Sequence, residues 1–277
     1  MFWAACLVAA EVPRRQQCFA NGWGMYENDT MGKWRGNMLR AEPIRRVVGV
    51  DGLRYFLLRE IVFGQDGSFS YDALIGRYNS DLANGLGNLA SRTLTMINQY
   101  RQGAISPAVD GGSVGALAAE TIASTVRLYE SFDFSKALEG IWGLISAVDK
   151  LIVERAPWKL ARSTDPDAPA QLDDTLYTAA EAVRIVTALL YPVLPESTAK
   201  IWSQLGMPAP IGTVRIDSLQ WGGLQSGQKI GEIAGVFPRI ELKAAVDKMA
   251  ELGAGGPAQP PTPMGKEAGQ RGGRARG

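Results

Sequence analysis

The chain has 277 residues, of which 46% are hydrophobic and 21% are charged, and its formal net charge is +1. This composition is typical of one or two folded domains and excludes a protein whose whole surface is basic for nucleic acid. Histidine is absent, and Cys6 and Cys18 are too few for a four-ligand zinc site or a disulfide framework. We therefore expect no metal site and a reducing, cytoplasmic setting.

Neither a membrane span nor a secretory signal is visible in the sequence. No apolar run approaches the roughly 20 residues that a spanning helix needs, so we expect no membrane partner. Residues 1–10 are apolar but lack the preceding basic segment of a signal peptide, which again favours the cytoplasm.

The first 60 residues predict short, mixed elements. The stretch from Gln17 to Ala20 predicts a strand that ends at Gly22. Residues 25–37 are polar and contain pairs typical of turns, which predicts a loop. A helical region follows, and its second helix runs from about Asp51 to Glu60 with the Asp51 side chain as its N-cap.

The stretch from Arg77 to Tyr100 predicts one long amphipathic helix, for which Ser68 or Ser70 is the N-cap. Its apolar residues recur every three to four positions: Tyr78, Leu82, Leu86, Leu89, Met96 and Tyr100. A polar stripe runs along the same helix at a spacing of four residues: Asn84, Asn88 and Arg92. An amide and a guanidinium one turn apart can read the edges of unpaired bases, although a solvated helix surface has the same pattern.

The rest of the chain predicts a helix bundle with an irregular end. Asp133 or Ser135 caps one helix that ends near Arg155, and the other helices cover residues 113–130, 172–191 and 196–205. Glycine and proline are frequent between residues 206 and 240, which predicts an irregular segment with one hairpin at most. Residues 243–277, rich in glycine and proline after Gly253, predict a disordered tail.

Several longer motifs occur in one order along the chain. The first half carries NGW, TMGKWRGN, GVDGLRYFLLRE, FGQDG and RYNSDLANGLGNL. The second half carries RAPWKLA, TALLYPVLPESTAKIWSQLG and LQWGGLQSGQKIGEIAGVFPRIE. This order resembles the methionyl-tRNA synthetase family, whose members carry HGW, a KMSKS loop followed by Leu-Gly-Asn, GVDALRY, FGQDG and RYNSDLANDLGNL. The resemblance covers residues 1–242, and its specificity comes from the order of independent motifs.

The resemblance implies a mainly α fold. An anticodon-binding helix bundle would occupy residues 61–242, preceded at residues 1–60 by a short α/β remnant of the class I catalytic core. The HIGH-type motif and the nucleotide-binding half of the family have no counterpart in this sequence. A chain without the first strands of that doubly wound sheet cannot form its nucleotide crevice, so we expect this chain alone to be inactive in forming methionyl-adenylate.

The resemblance also implies ATP as the cofactor, because the KMSKS loop of the family closes over ATP and its lysines stabilise charge on the pyrophosphate. The five matching positions are Thr30, Met31, Gly32, Lys33 and Trp34. Lys33 matches the second lysine of the motif and is the catalytic candidate. Because Thr30 replaces the first lysine, and Gly32 and Trp34 replace both serines, Lys33 is also a candidate for a vestigial residue.

Three residues match the positions at which the family meets the CAU anticodon of methionine tRNA. Asn88 and Arg92 match the Asn and Arg of the first long bundle helix, and Trp158 matches the Trp of the APW segment. Tryptophan supplies a stacking surface for an unpaired base, and Arg and Asn supply donors to base edges. Without the resemblance, Trp158 would be read as a core aromatic. Four neighbouring cations are candidates for phosphate contacts: Lys150, Arg155, Lys159 and Arg162.

The resemblance therefore implies a methionine–tRNA ligase family protein of translation, limited in this chain to recognising the anticodon of tRNA-Met. Besides an inert or degenerate fragment, two alternatives stay open. The chain is one half of a split synthetase that regains ligase activity when a separate chain supplies the nucleotide-binding half. Alternatively, it is a non-catalytic, degenerate tRNA-binding paralogue, which the departures in the KMSKS-like loop favour.

Overall fold

The protein is mainly α in a computed structural model that describes residues 2–11, 19–26, 29–30 and 40–254. Within these described ranges, three short strands form one sheet: β1 (Gly24–Tyr26), β2 (Asp29–Thr30) and β3 (Gly67–Phe69). The helices of the described residues are, in chain order, α1 (Phe2–Ala9), α2 (Ala41–Glu60), α3 (Tyr71–Arg77), α4 (Asn88–Arg101), α5 (Gly112–Glu130), α6 (Phe134–Arg155), α7 (Pro157–Leu160), α8 (Ala168–Leu190), α9 (Pro195–Gln204) and α10 (Leu242–Ala254).

Strand β1 lies in the centre of the sheet, antiparallel to β2 and parallel to β3. The predicted strand at Gln17–Ala20 is wrong for its described residues, Phe19 and Ala20, which are not in a strand. The strand forms at Gly24–Tyr26 instead and extends two residues into the predicted loop, because Trp23 aligns it with β3. The Trp23 amide donates to Asp66 Oδ1 (2.6 Å), and the Trp23 carbonyl accepts from the Gly67 amide (2.9 Å). That partner lies more than 40 residues away, beyond the reach of a local pattern.

Helix α2 bends at Gly49, where φ is +77°, so its second part begins close to the predicted start. Asp51, however, is not the cap of this helix. Its side chain is buried, and its carboxylate accepts hydrogen bonds from the amides of Glu196 (3.4 Å) and Ser197 (2.6 Å) in α9. The first amides of any helix lack partners within it, so a buried carboxylate beside them is stabilising. Asp51 is therefore a cap in trans, provided by α2 to α9.

The long predicted helix is present and extends from Tyr71 to Arg101, but its middle, Tyr78–Gly87, is π-helical. The Ser70 hydroxyl caps it by accepting from the Ala73 amide at 3.1 Å. The π-helical segment ends at Gly87, a position at which an added Cβ would lie 2.9 Å from the Leu82 carbonyl oxygen. The predicted apolar face is buried, apart from the partly buried Tyr100. Asn84 lies in the π-helical segment, so only Asn88 and Arg92 keep regular α spacing.

Helix α8 lies at the centre of the bundle and packs against α4, α5, α6, α7 and α9. Nearly every residue from Leu172 to Leu190 is buried, as expected for a helix that is covered on all sides. Although α8 has 23 residues, neither it nor any other described helix has an apolar stretch long enough to cross a membrane. The core of the molecule therefore surrounds this one helix.

The segment after α9 is irregular, as predicted, with short turns of 3₁₀ helix at Ile211–Thr213 and Ile216–Ser218. It pairs with the loop after α4 through a bridge between Ala104 and Lys229. The predicted disordered tail is wrong for residues 243–254, which belong to α10. Ala245 and Met249 of α10 lie four residues apart and are buried on the side that packs against α2 and α3. Residues 255–277 lie outside the described residues.

A buried ion pair in α8 fixes part of this irregular segment. Glu181 and Arg184 are 0% and 5% exposed, and their side chains are joined by hydrogen bonds of 2.9 and 2.6 Å. The Glu181 carboxylate also accepts from the amides of Gly222, Gly223 and Leu224, and Arg184 donates to the Gln220 carbonyl. These bonds compensate for removing both charges from water and hold residues 220–224 on α8.

Replacing Glu181 by Gln leaves Arg184 as an unpaired buried charge, a change that typically costs about 3–5 kcal/mol of folding stability. We expect Glu181→Gln to lower the free energy of unfolding by that amount in urea titrations followed by circular dichroism. The control is Glu154→Gln, whose side chain is 61% exposed in a loose pair with Lys150. Equal urea midpoints for the two variants would contradict this role of Glu181.

Candidate nucleic-acid interface

Three ion pairs connect α4, α6 and α8 to one another. Arg92 of α4 faces Asp149 of α6, whereas Arg101, at the end of α4, binds Asp173 of α8. Arg155, at the end of α6, binds Asp174, the next residue of α8. Because Asp173 and Asp174 are adjacent, α4 and α6 end at the same end of the bundle, where α8 begins. Arg92 therefore lies beside the last turns of α6, since its partner Asp149 is six residues before Arg155, and Trp158 follows just beyond the end of that helix.

The two arginines of α4 differ in how many of their donors are used. Arg101 binds Asp173 at 2.6 Å and also donates to the carbonyls of Tyr100 (2.9 Å) and Pro169 (3.2 Å). Arg92 lies 3.6 Å from the Asp149 carboxylate, beyond a normal hydrogen bond, and bonds to no other described residue. With 36% of its side chain exposed, Arg92 can offer its guanidinium to a ligand.

Their carboxylate partners show the same contrast in pKa. Burial raises the pKa of Asp149, and the charge of Arg92 offsets only part of this effect. The Asp149 Oδ1 atom is buried without a hydrogen-bond donor among the described residues. Burial also raises the pKa of Asp173, but hydrogen bonds from Arg101 and Ser106 outweigh it and leave the pKa below its usual value. Asp149 is thus a poorly compensated charge beside Arg92, and it is not among the residues predicted from the sequence.

Asn88 precedes Arg92 on α4, and Trp158 follows Asp149 beyond the end of α6. Asn88 is exposed at the start of α4, one turn or about 6 Å before Arg92, and its side chain has no hydrogen bond to a described residue. Trp158 lies in α7 and is 38% exposed, so it is not a core aromatic. Ala156 ends α6 with φ +44° and ψ +62°, a strained conformation for a residue with a Cβ, and Pro157 starts α7. This sharp corner leaves the indole ring partly open to solvent.

The structure separates the four predicted phosphate contacts into two classes. Lys150 is 3.7 Å from Glu154, and Arg155 is bound to Asp174, so both cations already face a carboxylate. Lys159 and Arg162 are exposed and form no ion pair with any residue that the structure describes. Both follow Trp158 within four residues, and they are the better candidates for contacts with a phosphate backbone.

The predicted ATP loop lies almost wholly outside the described residues. Thr30 ends strand β2, while Met31, Gly32, Lys33 and Trp34 are not described, so their role stays a prediction. Before the loop, the Phe19 ring contacts the turn between α5 and α6, where its centroid is 4.4 Å from that of Phe132. In the described part of the chain, no cluster of acidic or cysteine side chains is arranged to bind a metal ion.

Comparison with family models places two known domains on this chain. Residues 1–94 match the model described as tRNA synthetases class I (M). Residues 116–221 match the anticodon-binding domain of tRNA ligases, a range that contains Asp149, Trp158 and the whole of α8. Asn88 and Arg92 fall within the first match.

Full-length relatives and solved structures agree with these matches. The methionine–tRNA ligase of Streptomyces coelicolor is 35% identical over 88% of this chain and 47% of its own length. That of Caldanaerobacter subterraneus is 38% identical over 91% of this chain and 40% of its own length. The structure of Mycobacterium tuberculosis methionyl-tRNA synthetase bound by methionyl-adenylate superposes with a TM-score of 0.77 at 34% identity, covering 86% of this chain and 47% of that protein. The chain thus spans less than half the length of the relatives it matches.

The opposite pKa shifts of Asp149 and Asp173 predict opposite effects of neutralising each residue. A raised native pKa means that the ionised Asp149 side chain costs stability, so we expect Asp149→Asn to raise the melting temperature at pH 7. This gain should disappear as the pH falls from the raised native pKa to the ordinary aspartate value of about 3.9.

The control is Asp173→Asn, which should lower the melting temperature at pH 7, because its native pKa is depressed. That loss should shrink as the pH falls through the depressed native pKa. Melting curves of the three proteins between pH 3 and pH 7 test both signs, and a stabilising Asp173→Asn would contradict the assignment.

Proposed function

This chain belongs to the methionyl-tRNA synthetase family, and we propose that its helix bundle recognises the CAU anticodon of methionine tRNA through Asn88, Arg92 and Trp158. The observation that carries the proposal is the state of Arg92, whose guanidinium faces a carboxylate at 3.6 Å but donates no hydrogen bond to a described residue. Arg101, on the same helix, instead donates to a carboxylate and to two backbone carbonyls, as expected of an arginine that stabilises the fold. We place this recognition in the cytoplasm, as part of translation.

Each residue has a distinct role in the proposed recognition. The partly open ring of Trp158 stacks on one unpaired base of the anticodon loop. Arg92 only donates hydrogen bonds and therefore selects base edges that accept them, whereas the Asn88 amide both donates and accepts. Asp149 holds the guanidinium by charge without consuming its donors. Lys159 and Arg162 contact the phosphate backbone, which contributes affinity but no sequence preference.

A second candidate function is favoured by an apolar surface at the other end of the described chain. Phe19 and Trp23 are 52% and 71% exposed, and Leu57 and Val62 are 41% exposed. A groove of about 340 Å³ lies beside Trp23 and Leu57 and is lined by mostly apolar side chains. An exposed patch of this kind marks a protein contact surface. We propose that it packs against a nucleotide-binding domain that binds ATP and methionine and that this chain completes.

This second candidate is tested by ATP–pyrophosphate exchange, with the chain alone and with the N-terminal portion of the Streptomyces relative added. Exchange that appears only in the mixture would support a synthetase assembled from two parts. Binding of tRNA without exchange in either sample would support the non-catalytic alternative.

Truncating Trp158 should weaken binding of a CAU anticodon stem–loop, because base–aromatic stacking is worth about 1–3 kcal/mol, a loss of about fivefold to 150-fold in affinity. Fluorescence anisotropy at one fixed salt concentration measures this for Trp158→Ala. Trp158→Phe should retain part of the affinity, and Trp23→Ala is the matched control, since Trp23 is an exposed tryptophan on another surface. If the wild-type protein binds CAU and unrelated anticodons equally, the proposal fails.

Replacing Arg92 by Lys should reduce the preference for CAU more than the total affinity. Lysine keeps the positive charge near the phosphates but loses the planar fork that reads a base edge. The control Arg101→Lys removes bonds that hold α4 to α8, so it should lower the melting temperature and leave the anticodon preference of the folded protein unchanged. Titration with matched stem–loops that differ only in the anticodon gives the preference directly. An unchanged preference in Arg92→Lys would exclude Arg92 as a reader.

A further inference from the structure

Val153 is an exposed apolar residue that has no assigned role in the proposed anticodon recognition. The structure describes every residue from 63 to 241. In this range, the exposed large hydrophobic side chains are Val153, which is 61% exposed, and Trp158, which is 38% exposed. They lie five residues apart, on either side of the corner at Ala156. A single exposed valine is ordinary, but this one lies at the corner that also carries the only exposed aromatic ring of that range.

The position of Val153 on α6 connects it to the Arg92 pair. Val153 follows Asp149 by four residues, so the two side chains project from the same side of the helix, one turn or about 6 Å apart. Asp149 faces Arg92 of α4. Along α6, Val153 therefore lies between the Arg92–Asp149 pair and the corner that presents Trp158.

The apolar pattern of α6 does not require a valine here. The buried residues near the end of α6 are Leu144, Ile145, Val148 and Ile152, which already form its core-facing side. Val153 directly follows Ile152 and falls outside that period, among the charged neighbours Glu154 and Arg155. Because β-branched residues are weaker helix formers than the usual surface residues, helix stability does not explain Val153 either.

We propose that Val153 is a further base-binding residue, whose methyl groups pack against the unpaired base that lies between Trp158 and Arg92. This inference rests on the proposed recognition of the anticodon. The valine side chain offers no hydrogen bond, so its contribution is to cover the base and exclude water from the contacts beside it. Contacts that exclude water surround the strongest contacts of many interfaces. Because hydrogen bonds from Arg92 are stronger in a drier environment, Val153 supports both the affinity and the preference for CAU.

The variant Val153→Thr tests the proposal, because threonine keeps the branched shape but replaces a methyl group by a hydroxyl. We expect it to weaken binding of the CAU stem–loop about threefold to tenfold, as expected for the loss of one buried apolar group, and to reduce the preference for CAU. Its melting temperature should match that of the wild type, since the side chain is mostly exposed. Val153→Ile keeps the apolar character and should bind at least as tightly as the wild type.

The matched control is Val62→Thr, which makes the same change at an exposed valine of the apolar surface that carries Trp23 and should leave binding unchanged. If the wild type distinguishes CAU from other anticodons but Val153→Thr binds like the wild type, the role of Val153 is overturned. If the wild type does not distinguish anticodons at all, the proposed function itself fails. Equal losses in Val153→Thr and Val153→Ile would indicate a purely structural effect and would also overturn the role of Val153.

Discussion

The buried carboxylate of Glu181 in α8 is the interaction on which the arrangement of the bundle depends. It neutralises Arg184 and binds the backbone amides of residues 222–224, so the irregular segment after α9 is held against the central helix. At its beginning the same helix holds the ends of α4 and α6 through Asp173 and Asp174. The relative positions of Arg92 and Trp158 are therefore set by α8, which carries neither of them.

Arginines with different roles differ mainly in how completely their donors are used. Arg184 and Arg101 are bound to carboxylates and to backbone carbonyls, which is the arrangement expected when an arginine fixes the fold. Arg92 has a carboxylate nearby but no hydrogen bond to a described residue. Tryptophans differ in a similar way, since Trp202 is buried and donates to the Ala209 carbonyl, whereas Trp158 stays partly open. The candidate interface therefore differs from the supporting structure in one respect: its hydrogen-bond donors and aromatic ring are not fully occupied by contacts within the fold.

Local sequence patterns predicted helices well and predicted their partners poorly. The apolar period of Arg77–Tyr100 is reproduced as a buried face, because the same residues that repeat along the chain must cover the core. Asp51 has the chemistry of a helix cap, but the helix that it caps begins more than 140 residues later. Strand β1 and helix α10 escaped prediction for the same reason, since each is stabilised by a segment distant in sequence. Helix and strand propensities depend on residues close in the chain, whereas these contacts join segments that are far apart in it.

The sequence alone determined the family, through the order of its motifs, and it named Asn88, Arg92 and Trp158 as the candidate anticodon-binding residues. Those conclusions need only residue types and spacing. Only the tertiary structure decided which polar groups are already satisfied, that Asp149 faces Arg92, that Lys150 and Arg155 face carboxylates, and that Val153 is exposed beside the corner at Ala156. The physical reason is that hydrogen-bond satisfaction and burial are properties of the packed neighbours of a side chain, and those neighbours come from helices far apart in the chain.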